Sequence, residues 1–447
     1  MDLEQTAKRL LDLIRKSGAD EGEVYLMTSS GLAMEVRDQA VERLKQEEAS
    51  GFGLRLISAG RLAAVASSDL SESSLEKAVA KGLALAKTAA PDEDNVLAEP
   101  VAGATGSGSY DETFDAITLD RKIALLKDLE TLAFAYDPAI HRIEGISYND
   151  AKLDILVANT GGVFRRRRAT RYHAGCSVIA ERDGDVSVGE DESAATFFDR
   201  LDPPSKLASR ASWRAVSLLG GKTVASQAAP VILDKNVGAA MLVHLAAMVN
   251  GENVTTGISA LKGRIGEAIG SGLVTIVDDA TLAEGAVGAP FDDEGTPCSR
   301  TVVVDQGVLR TFLFDARTAK KFGGKSTGNA WRGGFREMPA VGTSNLYLDK
   351  GASKPDDIVK STARGLWVTG LTGWWMGISP ATGDFSSGAR GLWIENGEVA
   401  YPVRNVTVAS NVLDMLRGVN AVGDDLAFDQ DTVCPTLRIA EMSIGGT

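Results

Sequence analysis

The sequence predicts an α+β fold in which duplicated helix/hairpin N-terminal units precede a β-rich C-terminal domain. Three observations predict it. A pattern of helix, hairpins and helix runs twice before residue 225; a stretch rich in Pro, Gly, Ser and acidic residues, 88–113, separates the two runs; and from Pro230 onward Gly-rich loops alternate with strands. The expected division is an α+β domain at 1–90, a linker at 91–117, a central α+β domain at 118–225 and a β-rich domain at 226–447. A chain of 447 residues, 44% apolar, can build several cores and is too long for one.

The first element is an amphipathic helix, with Leu3, Ala7, Leu10, Leu11 and Ile14 at helical spacing behind Asp2 and Glu4. Short strands follow at 23–28, 33–37, 53–57 and 62–67, broken at Ser30-Gly31 and Ala59-Gly60. Ser73 and Glu76 are spaced as a capping box, and Leu75, Val79 and Leu83 give the second helix an apolar stripe to lay on that sheet. After the break, residues 119–136 read as a helix, 143–198 as strands turning at Gly161-Gly162 and Asp183-Gly184, and 205–219 as a further helix. No clear residue identity accompanies the repeated pattern. Beyond Pro230 the sequence predicts a helix at 236–249, a hairpin at 301–314 turning at Gln306-Gly307, and a hairpin at 392–403 turning at Asn396-Gly397. A helix near 408–416 and a strand near 437–442 close the chain.

Composition excludes several function classes. With 47 basic and 60 acidic residues the net charge is -13, so the surface repels phosphate backbones and nucleic acid is not an expected partner. Cys176, Cys298 and Cys434 are odd in number and far apart, which fits a reducing compartment rather than a disulfide framework. The acidic helical start is unlike a signal peptide, and the strongly apolar run 239–249 falls short of the roughly 20 residues of a membrane span. A soluble, cytoplasmic protein without a membrane partner is expected.

Candidate chemistry is sparse. His244 sits on a predicted helix, but hydrolytic zinc needs about three protein ligands and a base, and the next turn offers Ala247, Met248 and Val249. His141 and His173 lie in the central domain, so His244 reads as a packed structural residue. No G-x-S-x-G elbow is present. Gly324-Lys325-Ser326 resembles the tail of a phosphate loop, yet Ala319 stands where that loop requires Gly, and 317–322 looks helical where a strand is needed. The basic run 165–168 would put two Arg on each face of a strand, where pairing with acidic neighbours is the favoured reading.

Four segments carry a resemblance: P-F-D-D-E-G-T-P-C-S-R at 290–300, S-T-G-N-A-W-R at 326–332, G-D-F-S-S-G-A-R-G at 383–391 and W-I-E-N-G-E-V-A-Y-P-V-R at 393–404. In order and spacing the set resembles the signature blocks of the TldD/PmbA family, formerly called modulators of DNA gyrase, and a weaker likeness extends over the whole chain. The resemblance implies a heterodimeric zinc peptidase. Its TldD-type subunit carries H-E-x-x-x-H on a helix and a later Cys, whereas the PmbA-type subunit, also called TldE, lacks them. Here His244 falls at the first histidine, Leu245 replaces the Glu and Val249 the second histidine. The implied role is that of a PmbA/TldE-type subunit with no catalytic or metal-ligating residue, no cofactor of its own, zinc in a TldD-type partner, and unfolded or leader peptides as substrate.

The retained Gly-rich blocks place Asn329, Arg332, Asp384 and Arg390 where a peptide could be held, against the competing reading that they turn the chain and tie strands together. Trp374 and Trp375, read as neighbours on a strand, would put one ring at an interface and the other in the core. Two further hypotheses stay open: an autonomous metal-dependent hydrolase with an unrecognised site, and a self-associating peptide-binding protein, homodimeric when isolated.

Overall fold

The computed structural model describes residues 2–103 and 108–446. Helix α1 (Leu3–Ser17) starts where the Asp2 carboxylate accepts the Glu4 N–H at 3.0 Å, ends at Gly18 in the left-handed region, and buries the expected stripe. Strands β1 (Glu21–Arg37), β2 (Ala40–Ser58) and β3 (Arg61–Ser67) precede α2 (Glu72–Ala86); α3 (Leu119–Tyr136) then precedes β4 (Ile140–Asn159), β5 (Phe164–Arg182), β6 (Asp185–Ala195) and α4 (Pro204–Val216). The six strands form one antiparallel sheet in the order β3-β2-β1-β4-β5-β6. The repeated pattern thus appears as two three-stranded halves joined along a β1–β4 seam that runs from Glu23↔Asn159 to Val36↔Ile146.

Strand alternation assigns the two faces. Val24, Leu26, Leu32, Met34 and Val36 of β1 pack under the helices, α1 and α2 covering one end of the sheet and α3 and α4 the other. Tyr25 and Met27 point the opposite way, onto Phe291 and Phe335 of the C-terminal region.

That region begins with β7 (Gln227–Leu233), α5 (Lys235–Val249) and α6 (Gly251–Thr255). Short strands β8 (Ile276–Asp278), β9 (Thr301–Asp305) and β10 (Val308–Leu309) follow, then α7 (Ala316–Phe322), β11 (Ala330–Trp331), β12 (Ala340–Val341), β13 (Leu346–Leu348) and α8 (Pro355–Lys360). Longer strands β14 (Arg364–Thr372), β15 (Asp384–Glu395) and β16 (Glu398–Asn411) lead to α9 (Val412–Gly418), β17 (Val419–Val422), β18 (Thr432–Val433) and β19 (Leu437–Gly445). The order β16-β15-β14-β7-β19-β17, with β16 also pairing β19, closes five of these strands into a barrel; β10-β9-β8-β13-β18 form a second sheet. One hydrophobic cluster runs from the barrel through α5 to the second sheet. No described helix is long and apolar enough to cross a membrane.

Several local expectations are corrected. The Ser30-Gly31 break is absent: β1 runs through it, and Gly31 serves close approach, because a Cβ there would stand 2.2 Å from the Asp150 carbonyl oxygen. The exposed half of β2, residues 40–50, has no buried face and so no alternation to read. Helix α2 starts two residues earlier than a box at Ser73 requires, with Ser71 at the N-cap and no side-chain cap bond. Residues 408–411 extend β16, and the last helix starts at Val412. Trp374 and Trp375 lie in a 3-10 turn, not a strand, with Trp375 59% exposed.

Gly189 on β6 lets α4 settle on the sheet: a Cβ would meet the Ala211 carbonyl oxygen at 2.1 Å and the Ala215 nitrogen at 2.3 Å. Gly189→Ala is therefore expected to lower stability by about 1–3 kcal/mol. Gly145→Ala, where a Cβ meets nothing within 4 Å, should change it little. Urea unfolding of both variants checks the contrast.

Candidate functional site

Helix α5 is capped by Asp234, whose carboxylate accepts the Asn236 N–H at 3.2 Å, and its apolar residues face the core on most sides. Its first turns bring Asn236, Val237 and Ala240 to the edge of a cleft of about 640 Å³ between the C-terminal region and the sheet. The floor is the sheet face opposite the helices, at the end where Gly145, Ser147, Gly175 and Ser177 offer little side chain to fill it. Leu371, Trp374 and Arg390 complete the far wall. The same sheet face is filled at its other end by the Tyr25, Met27, Phe291 and Phe335 contact, so the cleft is where packing between the regions stops.

One turn past Ala240, His244 is 2% exposed. Its Nε2 lies 3.1 Å from the Trp374 carbonyl oxygen, and its ring is 5.1 Å from that of Phe385 and 6.5 Å from that of Trp374. Nδ1 is buried without a hydrogen-bond partner of good geometry, with the Asp384 main chain beside the ring. Burial holds the imidazole pKa below its ordinary value, outweighing these main-chain contacts, so the neutral ring is favoured. Leu245 and Val249 are each 1% exposed, in the core. One imidazole among aromatic rings is not a donor set for zinc, and among the described residues no three His, Cys, Asp or Glu side chains converge on a point. The Cys176 thiol, packed under α3 and α4, is pushed up to about 12 by burial and is no nucleophile near neutrality.

Ion pairs fix the cleft's edge. Asp191, with its side chain fully buried, takes Arg210 at 2.5 Å, pairs with Arg214 and accepts the Asn236 amide at 3.2 Å. Arg214 also reaches Asp234 at 3.4 Å, tying α4 to the start of α5; burial pushes the Asp234 carboxyl up against the pull of Arg214. Lys235 pairs with Asp429 at 2.7 Å. Inside the cleft, His173 holds Glu192 at 2.9 Å, keeping that carboxyl below its usual range, and Gln430 donates to the same group at 2.8 Å.

A second node lies beneath the filled end of the sheet. Arg55 bonds Glu23 at 2.9 Å and 2.5 Å and forms an ion pair with Glu294 at 2.8 Å, while Arg332 pairs with Glu23. Arg167 bonds Asp293 at 2.6 Å, and Asp293 accepts the Arg332 N–H at 2.9 Å. Burial works against charge on Glu23, but Arg55 and Arg332 together hold its pKa below the ordinary value. Burial pushes the Asp292 and Glu294 carboxyls up.

The four residues predicted to hold a peptide separate into these settings. Asn329, 1% exposed, donates to Asp278 at 2.7 Å and to the Gly342 carbonyl at 2.9 Å. The Arg332 side chain is 2% exposed, with its guanidinium 4.6 Å from the Tyr25 ring centroid. Asp384 is exposed at the start of β15, and Arg390 lines the cleft. Among the basic run, Arg166 pairs with Asp154, Arg167 with Asp293 and Arg168 with Glu112, as the pairing reading expects. Sequence reasoning missed Glu23, Arg55, Asp191 and Arg214. A signal existed for Arg55, a charge set between buried Leu54 and Leu56 and opposite Glu23 in the strand register.

Comparison with known proteins gives consistent similarities. Family models for the PmbA/TldA metallopeptidase domain 1, central domain and C-terminal domain match residues 22–86, 112–219 and 226–446. The metalloprotease PmbA of Escherichia coli O157:H7 is 29% identical over 446 residues, covering 99% of this chain and 96% of that protein. The crystal structure of a proposed modulator of a DNA gyrase from Thermotoga maritima superposes with a TM-score of 0.89 at 26% identity, covering 99% of this chain and 100% of its own. TldE from Thermococcus kodakarensis has the same fold, with a TM-score of 0.88 at 21% identity over 99% of this chain and 100% of its own.

Removing Arg332 leaves Glu23 with a single cationic partner in a buried site. Arg332→Ala is expected to destabilise the fold by about 3–5 kcal/mol, measured by denaturant unfolding, and a loss below about 1 kcal/mol would remove the node's importance. His244 supplies a pH test. Its folded pKa lies below the unfolded value of about 6.5, so its contribution is present above that pH and lost as pH falls through the folded pKa. Melting temperature should therefore drop more between about pH 7 and about pH 5 in the natural protein than in His244→Gln, which keeps a donor and cannot ionise. Equal drops would contradict the depressed pKa.

Proposed function

Because the chain belongs to the PmbA/TldD metallopeptidase family, we propose that it is the TldE-type, non-catalytic subunit of a two-chain zinc peptidase. In this reading a TldD-type partner carries the zinc and the water-activating base, and this chain supplies one wall of the channel in which an unfolded or leader peptide lies. The observation that carries it is α5: the helix borders the cleft, yet presents one buried imidazole, with Leu245 and Val249 turned into the core. Without a base and a second ligand the helix has no means of polarising a water.

The cleft supports the peptide part of the reading. Its floor of Gly and Ser residues leaves strand backbone within reach of an extended chain, and about 640 Å³ accommodates several residues. A second subunit facing it would close the channel without adding chemistry. The three free cysteines fit a cytoplasmic location.

The test is reconstitution. This chain alone should neither retain near-stoichiometric zinc nor cleave unfolded peptides. Mixed with a TldD-type chain from the same cell it should give a stable complex by size-exclusion chromatography, with chelator-sensitive cleavage and an interface of roughly 2,000 Å² or more. Chelator-sensitive cleavage by this chain alone would establish an autonomous hydrolase instead. A TldD-type chain as active by itself as in the mixture would remove the need for a second subunit.

A further inference from the structure

The charges around the cleft are nearly all spoken for. Asp191 is held by Arg210 and Arg214, Glu192 by His173 and Gln430, and Glu35 by Arg43 at 3.2 Å. Arg390 differs. Its guanidinium has no hydrogen bond or ion pair to any described residue, although the side chain is only partly exposed. Glu190 attracts it from across the cleft without closing a contact, Arg214 repels it, and burial makes its charge harder to keep.

The fold makes room for this side chain. Gly370 stands opposite Arg390 in the β14–β15 register, beside a bulge after Val368. A Cβ at Gly370 would lie 2.5 Å from the Arg390 Nε and 3.3 Å from its Cζ, so the Arg390 side chain occupies the space that a side chain at 370 would take. Around it, Val237, Ala240, Leu371 and Trp374 give an apolar wall. A partly desolvated, pre-positioned and unpartnered guanidinium lacks a planar anion with two oxygens. Glu35, Glu190 and Glu192 at the same cleft disfavour a dianion such as phosphate and leave a single negative charge as the match.

We infer that Arg390 is the anion-recognition point of the cleft and that it takes a carboxylate of the bound peptide, either the C-terminal carboxylate or an Asp or Glu side chain. This rests on the peptide-holding reading above and adds the chemistry of what is held. The C-terminal carboxylate would lay the last side chain against Trp374 and Val237; an acidic side chain would instead set the register of a longer peptide.

Isothermal titration calorimetry tests it with the full-length chain and with its complex with a TldD-type chain. The probes are three N-acetylated decapeptides without other acidic residues: one ending in Leu as the free acid, the same peptide amidated, and the amide with one internal Glu. The free acid is expected to bind about tenfold to a hundredfold tighter than the amide. Arg390→Ala should erase that difference, and Arg390→Lys, a point charge without the fork, should restore part of it. Gly370→Val, which displaces the guanidinium, should behave as Arg390→Ala; unchanged melting temperatures show that each variant folds. Recovery of affinity by the internal Glu assigns the carboxylate to a side chain, and no recovery assigns it to the terminus. Equal binding of all three peptides, or an acid preference that survives in Arg390→Ala, overturns the inference and leaves the peptide-holding reading intact. If no peptide binds the chain or the complex, both fall.

Discussion

One face of the six-stranded sheet carries the four N-terminal helices, and the C-terminal region covers the other face at one end only. There the contact is made by Tyr25, Met27, Ile155 and Val157 against Phe291 and Phe335, and it is keyed by the buried charges of Glu23, Arg55, Glu294 and Arg332. Charges without water tolerate one geometry, because each must meet its partner at ion-pair distance or remain desolvated and unpaired. The node therefore sets how the two regions lie on each other more than it adds net stability. Everything at the open end, including the cleft, follows from that relative placement.

Helix α5 carries the second half of the design. Its inward residues, Val237 and Ala240 among them, belong to the cluster that joins the barrel to the second sheet, and these two with Asn236 also border the cleft. A helix held this firmly could present a base and a metal ligand accurately; here the two positions the resemblance points to, Leu245 and Val249, serve packing. His244 is buried beside them, with Trp374 and Phe385 around it and burial favouring its neutral ring.

The signature-like blocks divide between the two tasks. Asp292, Asp293, Glu294, Asn329 and Arg332 fold into the buried contacts, where carboxylates accept main-chain N–H groups and orient loops that have little regular structure. Arg390, from the block 383–391, reaches the cleft. Arg332 on a loop and Arg390 on β15, both from Gly-rich blocks, thus separate into a buried node and a cleft wall, and composition and spacing do not tell them apart.

Sequence alone determined the elements whose residues answer to a local period. The stripe of α1, the Asp183-Gly184 and Asn396-Gly397 turns, the pairing of the basic run and the α+β class all follow from side-chain alternation and backbone preference, which act within a few residues. It misread Gly31 and missed residues 40–50, because a glycine demanded by a neighbouring strand looks like a turn and an edge with no buried face has no period. Tertiary structure decided that both N-terminal halves share one sheet, that Arg332 lies in a buried node and Arg390 in a cleft, and that Arg390 has no hydrogen-bond or ion-pair partner among the described residues. Each of these depends on groups far apart in the chain, such as Glu23 with Arg332 or Gly145 with Leu371, meeting in space. No local pattern encodes such a meeting.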